Sequence, residues 1–433
     1  MMQARTERVR VEPVKGAAVS RASAHDLLAS VDEVPWGEFS SASPWPHADP
    51  AWYRVVSRAD LARYCGGDAR AVFVRSGEGA LRAVVPATLA TLPSTGSGAN
   101  PEALLFRQWR LTRTIGRGGG LLAAAIDRGL LPVLRAAGVR LHRALVLITP
   151  LAYETCPWFD ADAGDEERRE AFDALLGTVQ RHAREEDLAV AALSPDDTSA
   201  RPLGLDAAFA RRGFLRFRLL EEHRLDLGEG PFDRAYLSGL SSRTRGMVRR
   251  ERRRAVGAVE AVRLADLPPR DRDRLVDLYR ATCAHYGEGW QDMDRDFLDL
   301  LAHEGPDLAW VSLARDRARR IVTFALNLWN GSHFCGYHSG QDREDGAGSG
   351  LWFETVLYRG IEEACRRGVR SVSWSFMQGV VKRRRGARQI ARHAWIWHPR
   401  ARLVRPLLSA YMSLFSMGAE AFYRRDSHPG GEA

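Results

Sequence analysis

"IVTFALNLWNGSHFCGYHSGQDREDGAGSGLWFE", residues 321–354, carries the reading on which the fold turns. Apolar, β-branched and aromatic residues on either side of Asn330 and Gly331 read as neighbouring strands. A loop rich in glycine follows, and "GLWFETVLYRGIEEACRRG" (350–368) has helical spacing. Glycines between a strand and a helix start let backbone N–H groups approach an anion, and the helix dipole favours negative charge there. The bland alternative is a surface loop ending in an ordinary helix start.

Working outward, "LAWVSLARD" (308–316) forms a hairpin with 320–331, and "VRSVSWSF" (369–376) and "RHAWIWH" (392–398) are further strands. Helices are expected over 232–258, 267–286 and 294–305. The first half runs in a similar order. A helix is expected over 24–36, a hairpin from "ARAVFVRS" and "GALRAVVPATLATL", and a helix over 120–138 ending at Gly138. A strand at 143–151, an amphipathic helix at 165–187 and a strand at 188–195 follow. The half closes with a short helix, Gly213 and a strand to 227. Helices, an antiparallel hairpin, a helix and a strand occur twice. The fold class read from this is α/β of the α+β type, in two tandem units with mixed, largely antiparallel sheets flanked by helices. The boundaries read are a basic leader at 1–24, an N-terminal domain at 25–225, a C-terminal domain with the cleft at 226–400, and a helix and tail at 401–433. The tail has apolar residues at helical spacing, read as packing on the body rather than on a membrane.

The 433 residues carry 63 Lys and Arg against 54 Asp and Glu, a net +9, which favours an anionic partner. No apolar run is long enough to span a bilayer and no signal core is seen, so the expected compartment is the cytoplasm. The five cysteines are scattered without metal spacing, so neither a metal nor a disulfide framework is expected.

Only two lysines occur, Lys15 and Lys382. Lys382 lies in "QGVVKRRRGARQIARHAWIW" (378–397), just after a strand, where side chains converge on a ligand crevice. Arginine does nearly every other positive job, so this lysine reads as selected for a phosphate or a carbonyl oxygen. A second constellation is "GLSSRTRGMVRRERRRA" (239–255), where Arg245, Arg249, Arg250, Arg252 and Arg253 suit an anionic backbone such as RNA. Its bland reading is a solvated helix.

Three stretches resemble the FemAB-like branch of the GNAT superfamily, often labelled peptidoglycan-biosynthesis-type acyltransferases: 232–255, 313–340 and 378–397, with 209–227 also fitting. The resemblance covers about 185–400. It implies tandem GNAT-like domains and transfer of an acyl or aminoacyl group onto an amine. Arg343, Gly346 and Gly348 are similar to the pattern with which GNAT enzymes hold the pyrophosphate of coenzyme A. Gln378, Gly379, Lys382, Arg385 and Gly386 match the family's most recognisable motif, with Val381 standing where the family has a His. Donor binding is therefore expected at Arg343, Gly346, Gly348, Gln378, Gly379, Arg385 and Gly386.

Amide formation needs a base for the amine and donors for the oxyanion. The catalytic candidates are Lys382, His338 and Glu354, with His333 and Asp345 as further bases. No tightly bound cofactor is expected. The co-substrate is aminoacyl-tRNA, slightly preferred for the basic helix, or acyl-CoA, favoured by the glycine loop. The acceptor is a small-molecule or cell-wall-precursor amine. A non-catalytic RNA- or nucleotide-binding protein is the alternative from another class.

Overall fold

The computed structural model describes residues 28–29, 34–43, 45–59, 67–77, 79–90, 101–108, 120–148, 154–197, 203–255, 259–285, 293–342, 349–375, 378–402 and 404–425. The N-terminal half contributes β1 (Leu28–Ala29), β2 (Phe39–Ser41), β3 (Gly67–Arg75), β4 (Leu81–Ala90), β5 (Ala144–Val146), β6 (Trp158–Asp160), β7 (Ala189–Leu193) and β8 (Leu215–Asp226). The C-terminal half contributes β9 (Val259–Arg263), β10 (Ala309–Arg315), β11 (Ile321–Trp329), β12 (His333–Gln341), β13 (Ser371–Ser373) and β14 (Arg388–Trp397).

These strands form one sheet in the order β1-β3-β4-β5-β7-β14-β8-β13-β12-β11-β10-β9, with β2 and β6 joined beside β4. All neighbours are antiparallel except β5 with β7 and β12 with β13, one parallel pair in each half. The halves exchange their last strands. β8 leaves the first half to pair with β13, and β14 returns from the second half to pair with β7; β8 and β14 then pair with each other. The expected boundary at 225/226 falls at the end of β8, a strand shared by both halves.

Helices repeat the exchange. The Pro50–Arg58 helix of the first half buries Trp52 and Tyr53 in the core formed by the Pro269–His285 and Arg295–Glu304 helices. Trp52 meets Phe297 edge-on, with ring centres 6.0 Å apart. The Arg405–Arg425 helix, from the other end of the chain, packs on the first half beside the Gly120–Ala136 helix. The Asp165–Glu185 helix covers the same half's opposite face. Fully burying each such large apolar side chain contributes roughly 1.5–3 kcal/mol, so both halves depend on both ends of the chain.

Three local expectations are corrected. Where a helix was expected over 24–36, Leu28–Ala29 is a strand on the edge of β3, and Trp36–Glu38 is a single 3-10 turn after Pro35. The edge of β3 offers backbone partners, and this outweighs helical spacing in so short a run. The basic stretch 232–258 is not one helix. It breaks into Phe232–Ala235, a 3-10 turn Leu237–Gly239 and Ser242–Arg254, because the Ser241 side chain accepts from the Thr244 N–H at 3.2 Å and caps a new start. Strand β9 lies directly after it, where the sequence reading assigned nothing.

Candidate active site

The parallel pair of the second half is short. β12 and β13 pair only at His333 with Ser371, Phe334 with Val372 and Cys335 with Ser373. Beyond Cys335, β12 stays with β11 as far as Gln341. Trp374 and Ser375 instead stay with β8: the Trp374 N–H donates to the His223 carbonyl and the His223 N–H to the Ser375 carbonyl, both at 2.9 Å. The two strands therefore splay apart. At the same point β12 carries a bulge, with Asn327 opposite Gly336, Leu326 opposite His338, and Tyr337 left over. A bulge re-aims side chains and ends a ladder, which is what a ligand crevice in a sheet requires.

A cavity with about 20 Å³ of free volume opens at the foot of this wedge, lined by Trp45, His47, Glu154, Leu220, Glu222, Cys335, Ser373, Ser375 and Arg392. That exceeds the roughly 10–15 Å³ a water molecule needs. Its walls are charged although buried. Arg392 lies between two carboxylates, with Nε 3.3 Å from Glu222 and Nη2 3.7 Å from Glu154. Arg224 reaches Glu222 at 3.1 Å, and its guanidinium lies 4.6 Å from the centre of the Trp45 ring. The Ser43 hydroxyl donates to Glu154 at 2.5 Å. Glu154 is 2% exposed and its Oε2 has no hydrogen bond.

The two carboxyls have opposite tendencies. Burial alone raises both. At Glu222 the guanidiniums of Arg392 and Arg224 and the Ser373 hydroxyl outweigh burial and hold the carboxyl below its usual range. At Glu154 burial wins over Arg392 and Ser43, and the carboxyl is raised. Burial also brings His47 down to about 3, against a small opposing effect of Glu222. It brings His223 and His333 down to about 4, with Lys382 adding to the shift at His223 and Arg224 at His333. These imidazoles are neutral near pH 7. Burial pushes the Cys335 thiol far up, which removes it as a nucleophile. One raised and one lowered carboxyl in a shared cavity can divide proton acceptance and charge balance between them. Among the described residues no group of three or more His, Cys, Asp and Glu could hold a metal ion.

Comparison with known proteins agrees with this sheet. The FemAB-like family profile, described as peptidoglycan biosynthesis/recognition, matches residues 126–420, more than half of the chain. The chain belongs to the FemAB-like family. With the family comes a transferase of the acyl or aminoacyl class. Among solved structures, FemX overlays with a TM-score of 0.50 at 11% identity, covering 90% of this chain and 99% of that one, which supports a shared fold. Two further likenesses have lower overlap. The C-terminal domain of a putative lysylphosphatidylglycerol synthetase from Agrobacterium fabrum gives 0.46 at 13% identity, covering 84% and 95%. A tandem GNAT protein from the clavulanic acid biosynthesis pathway gives 0.40 at 13%, covering 83% and 98%. No curated protein matches this chain.

In this FemAB-like fold the residues singled out from sequence fall into separate places. Lys382, on the short Gly379–Arg383 helix, is buried, and its Nζ donates to the Trp374 carbonyl between two cavity residues, Ser373 and Ser375. Lys382 is not among the residues that line the cavity; it stands behind the Ser373–Ser375 edge, and its charge acts on His223 and Cys335. Gln378 and Ser375 both adopt positive φ, 59° and 56°, where non-glycine residues are strained, a condition that clusters at functional sites. Gly379 is buried beside Gln378. Gly386 has φ +91°, and a Cβ there would come within 2.5 Å of Leu240, so this motif glycine is required by the fold. Arg385 is taken up inside the protein: it donates to Tyr358 Oη at 2.7 Å, to the Val381 carbonyl at 2.9 Å and to Glu251 at 2.8 Å, and lies over Phe353.

The three catalytic candidates do not converge. Glu354 lies in a π-helical turn (Glu354–Tyr358) and accepts from Arg252 at 2.9 and 3.0 Å. His338 is on the other face of the sheet, its ring 4.6 Å from Tyr279 of the Pro269–His285 helix. His333 sits 4.6 Å from the Trp45 ring, near the cavity. Arg343, Asp345, Gly346 and Gly348 lie outside the described residues. On the basic helix, Arg252 is turned inward to Glu354 and Glu362, and Arg245 donates to the Leu240 carbonyl. Arg249, Arg250 and Arg253 are exposed.

The sequence reading passed over Trp45, His47, Glu154, Glu222, Ser373 and Arg392. Strand β8 held one usable signal. "EEHR", residues 221–224, sits between the apolar Leu219–Leu220 pair and Leu225 in the sheet's middle, and all four side chains are buried. Four consecutive polar residues in a central strand have no structural reason unless they meet partners.

Proposed function

We propose that this protein forms amide bonds by moving an aminoacyl or acyl group from an activated donor to an amine held in the splay cavity. The observation that carries the reading is the coincidence of a parallel pair that ends after three residues with a buried cavity containing Glu154, Glu222 and Arg392. The donor carbonyl lies in the wedge between β12 and β13. The amine enters beside Glu154 as the neutral base, and the Glu154 carboxylate takes the one proton that nitrogen loses on attack. The bond from the donor carbonyl to its oxygen or sulfur breaks, and Glu154 passes that proton to the leaving atom. Lys382 holds the 374–375 segment open and contributes positive charge where the oxyanion develops. The acceptor class is a small molecule or cell-wall precursor carrying a primary amine.

Aminoacyl-tRNA is the preferred donor. The exposed Arg249, Arg250 and Arg253 support it, because their helix packs on the helical segment that starts at Ser349, directly after the glycine loop. Acyl-CoA is the second reading, favoured by that loop's Arg343, Gly346 and Gly348. Radiolabelled charged tRNA and radiolabelled acetyl-CoA, each offered with a panel of primary amines, separate the two. Label should pass from charged tRNA into an amide, with a rate that falls steeply with added salt. Transfer from acetyl-CoA alone, little affected by salt, assigns the second donor. Transfer from neither, with RNA still bound, overturns the proposal in favour of a binding protein.

A further inference from the structure

Large apolar side chains exposed among the described residues occur on two helices alone. Leu121, Leu122 and Val133 stand on Gly120–Ala136, with Leu121 92% exposed. Leu407, Leu414, Met417 and Phe422 stand on Arg405–Arg425, with Met417 66% exposed. The helices are neighbours: Tyr411 Oη is 3.0 Å from Asp127 Oδ1, and the Tyr411 ring stacks on Phe106 at 5.2 Å. The second helix is apolar on two sides. Leu408, Tyr411, Met412, Phe415 and Ala419 face the core. Leu407, Ala410, Leu414, Met417 and Ala421 recur at spacings of three and four on the outside. An outward face of that kind marks a docking surface.

The surrounding charge indicates what docks there. Arg128, Arg402 and Arg405 are exposed on or beside these helices. A second copy of the chain would set these arginines against their own kind. We infer that this face lies on an anionic lipid bilayer, with apolar side chains among the upper acyl chains and arginines at the headgroups. No helix among the described residues is long and apolar enough to cross a membrane, so this contact lies on the bilayer surface. The inference stands on the outer helices alone and is independent of the transfer reaction.

The test is sedimentation of the full chain with vesicles of phosphatidylglycerol and phosphatidylcholine, compared with phosphatidylcholine alone, alongside its mass in solution. The account expects binding to the anionic vesicles at least roughly tenfold tighter, weakened by salt. Leu414→Glu with Met417→Glu should cut that binding by a similar factor, with melting temperature and transfer rate unchanged. Met417→Ser serves as a milder variant should the double one not fold. Absence of anionic vesicle binding, or binding unchanged by the variants, overturns the inference. So does a stable dimer that these substitutions convert to monomer, because the face then belongs to a second copy.

Discussion

The cavity between β12 and β13 and the outer face of the Arg405–Arg425 helix reverse the usual partition of a folded chain. In the cavity, Glu154, Glu222, Arg224 and Arg392 are charged or chargeable and nearly free of solvent contact. On the outer helix, Leu407, Leu414, Met417 and Phe422 face solvent. Burying charge costs several kcal/mol per ion unless partners are well placed. Exposing a contiguous apolar face invites association. Neither region is explained by stability, and our two proposals give each an occupant: an amine in one case, a lipid surface in the other.

The largest effect that would break this comparison is at the buried cluster. Arg392→Ala leaves Glu222 and Glu154 without their shared cation, and should destabilise the fold by about 3–5 kcal/mol, read as a denaturation midpoint. An unchanged midpoint would mean that the cluster is not buried as described.

Acid should find the same region. His47 is fully buried with its folded value near 3, against 6.5 when unfolded. Folding therefore requires the neutral ring, and the unfolded chain binds protons first as pH drops. Stability is full above pH 6.5 and should fall as pH decreases from there toward about 3. For His47 alone the loss is roughly 2–3 kcal/mol at pH 4.5. A flat stability profile between pH 7 and 4.5 would contradict the burial of this side chain.

Smaller changes sharpen the other side. Arg249→Ala with Arg253→Ala should leave the unfolding free energy within about 0.5 kcal/mol of the parent, both being exposed. The same pair should lower the salt slope of tRNA binding by about 1 or 2. At the outer helix, Met417→Ser should shift stability by no more than about 0.5 kcal/mol, because the side chain leaves no cavity.

Much of this architecture is legible in the sequence, and the reasons are local. The hairpin of β3 and β4 shows as β-branched runs around Gly79, which takes φ +87°. The Gly120–Ala136 helix ends before Gly138, at φ +77°. The cavity is not legible in this way. Its walls come from residues 45, 47, 154, 220, 222, 335, 373, 375 and 392, and only the exchange of β8 and β14 brings them together. Sequence separation hides such pairs even when both members attract notice. Arg252 reads as an anion ligand and Glu354 as a base, yet they bond to each other across 102 positions. Lys382 shows the reverse case. Its rarity marks it from sequence, and the fold gives it a buried contact with the Trp374 carbonyl, between the cavity residues Ser373 and Ser375.

One measurement bears most directly on the central claim: single-turnover transfer to a primary amine by Glu154→Gln, an isosteric change that keeps the Ser43 contact but cannot accept the proton. The account predicts a fall of at least roughly 100-fold, with donor binding and melting temperature close to the parent. Transfer at the parental rate by a folded Glu154→Gln protein would show that the amine meets its donor elsewhere.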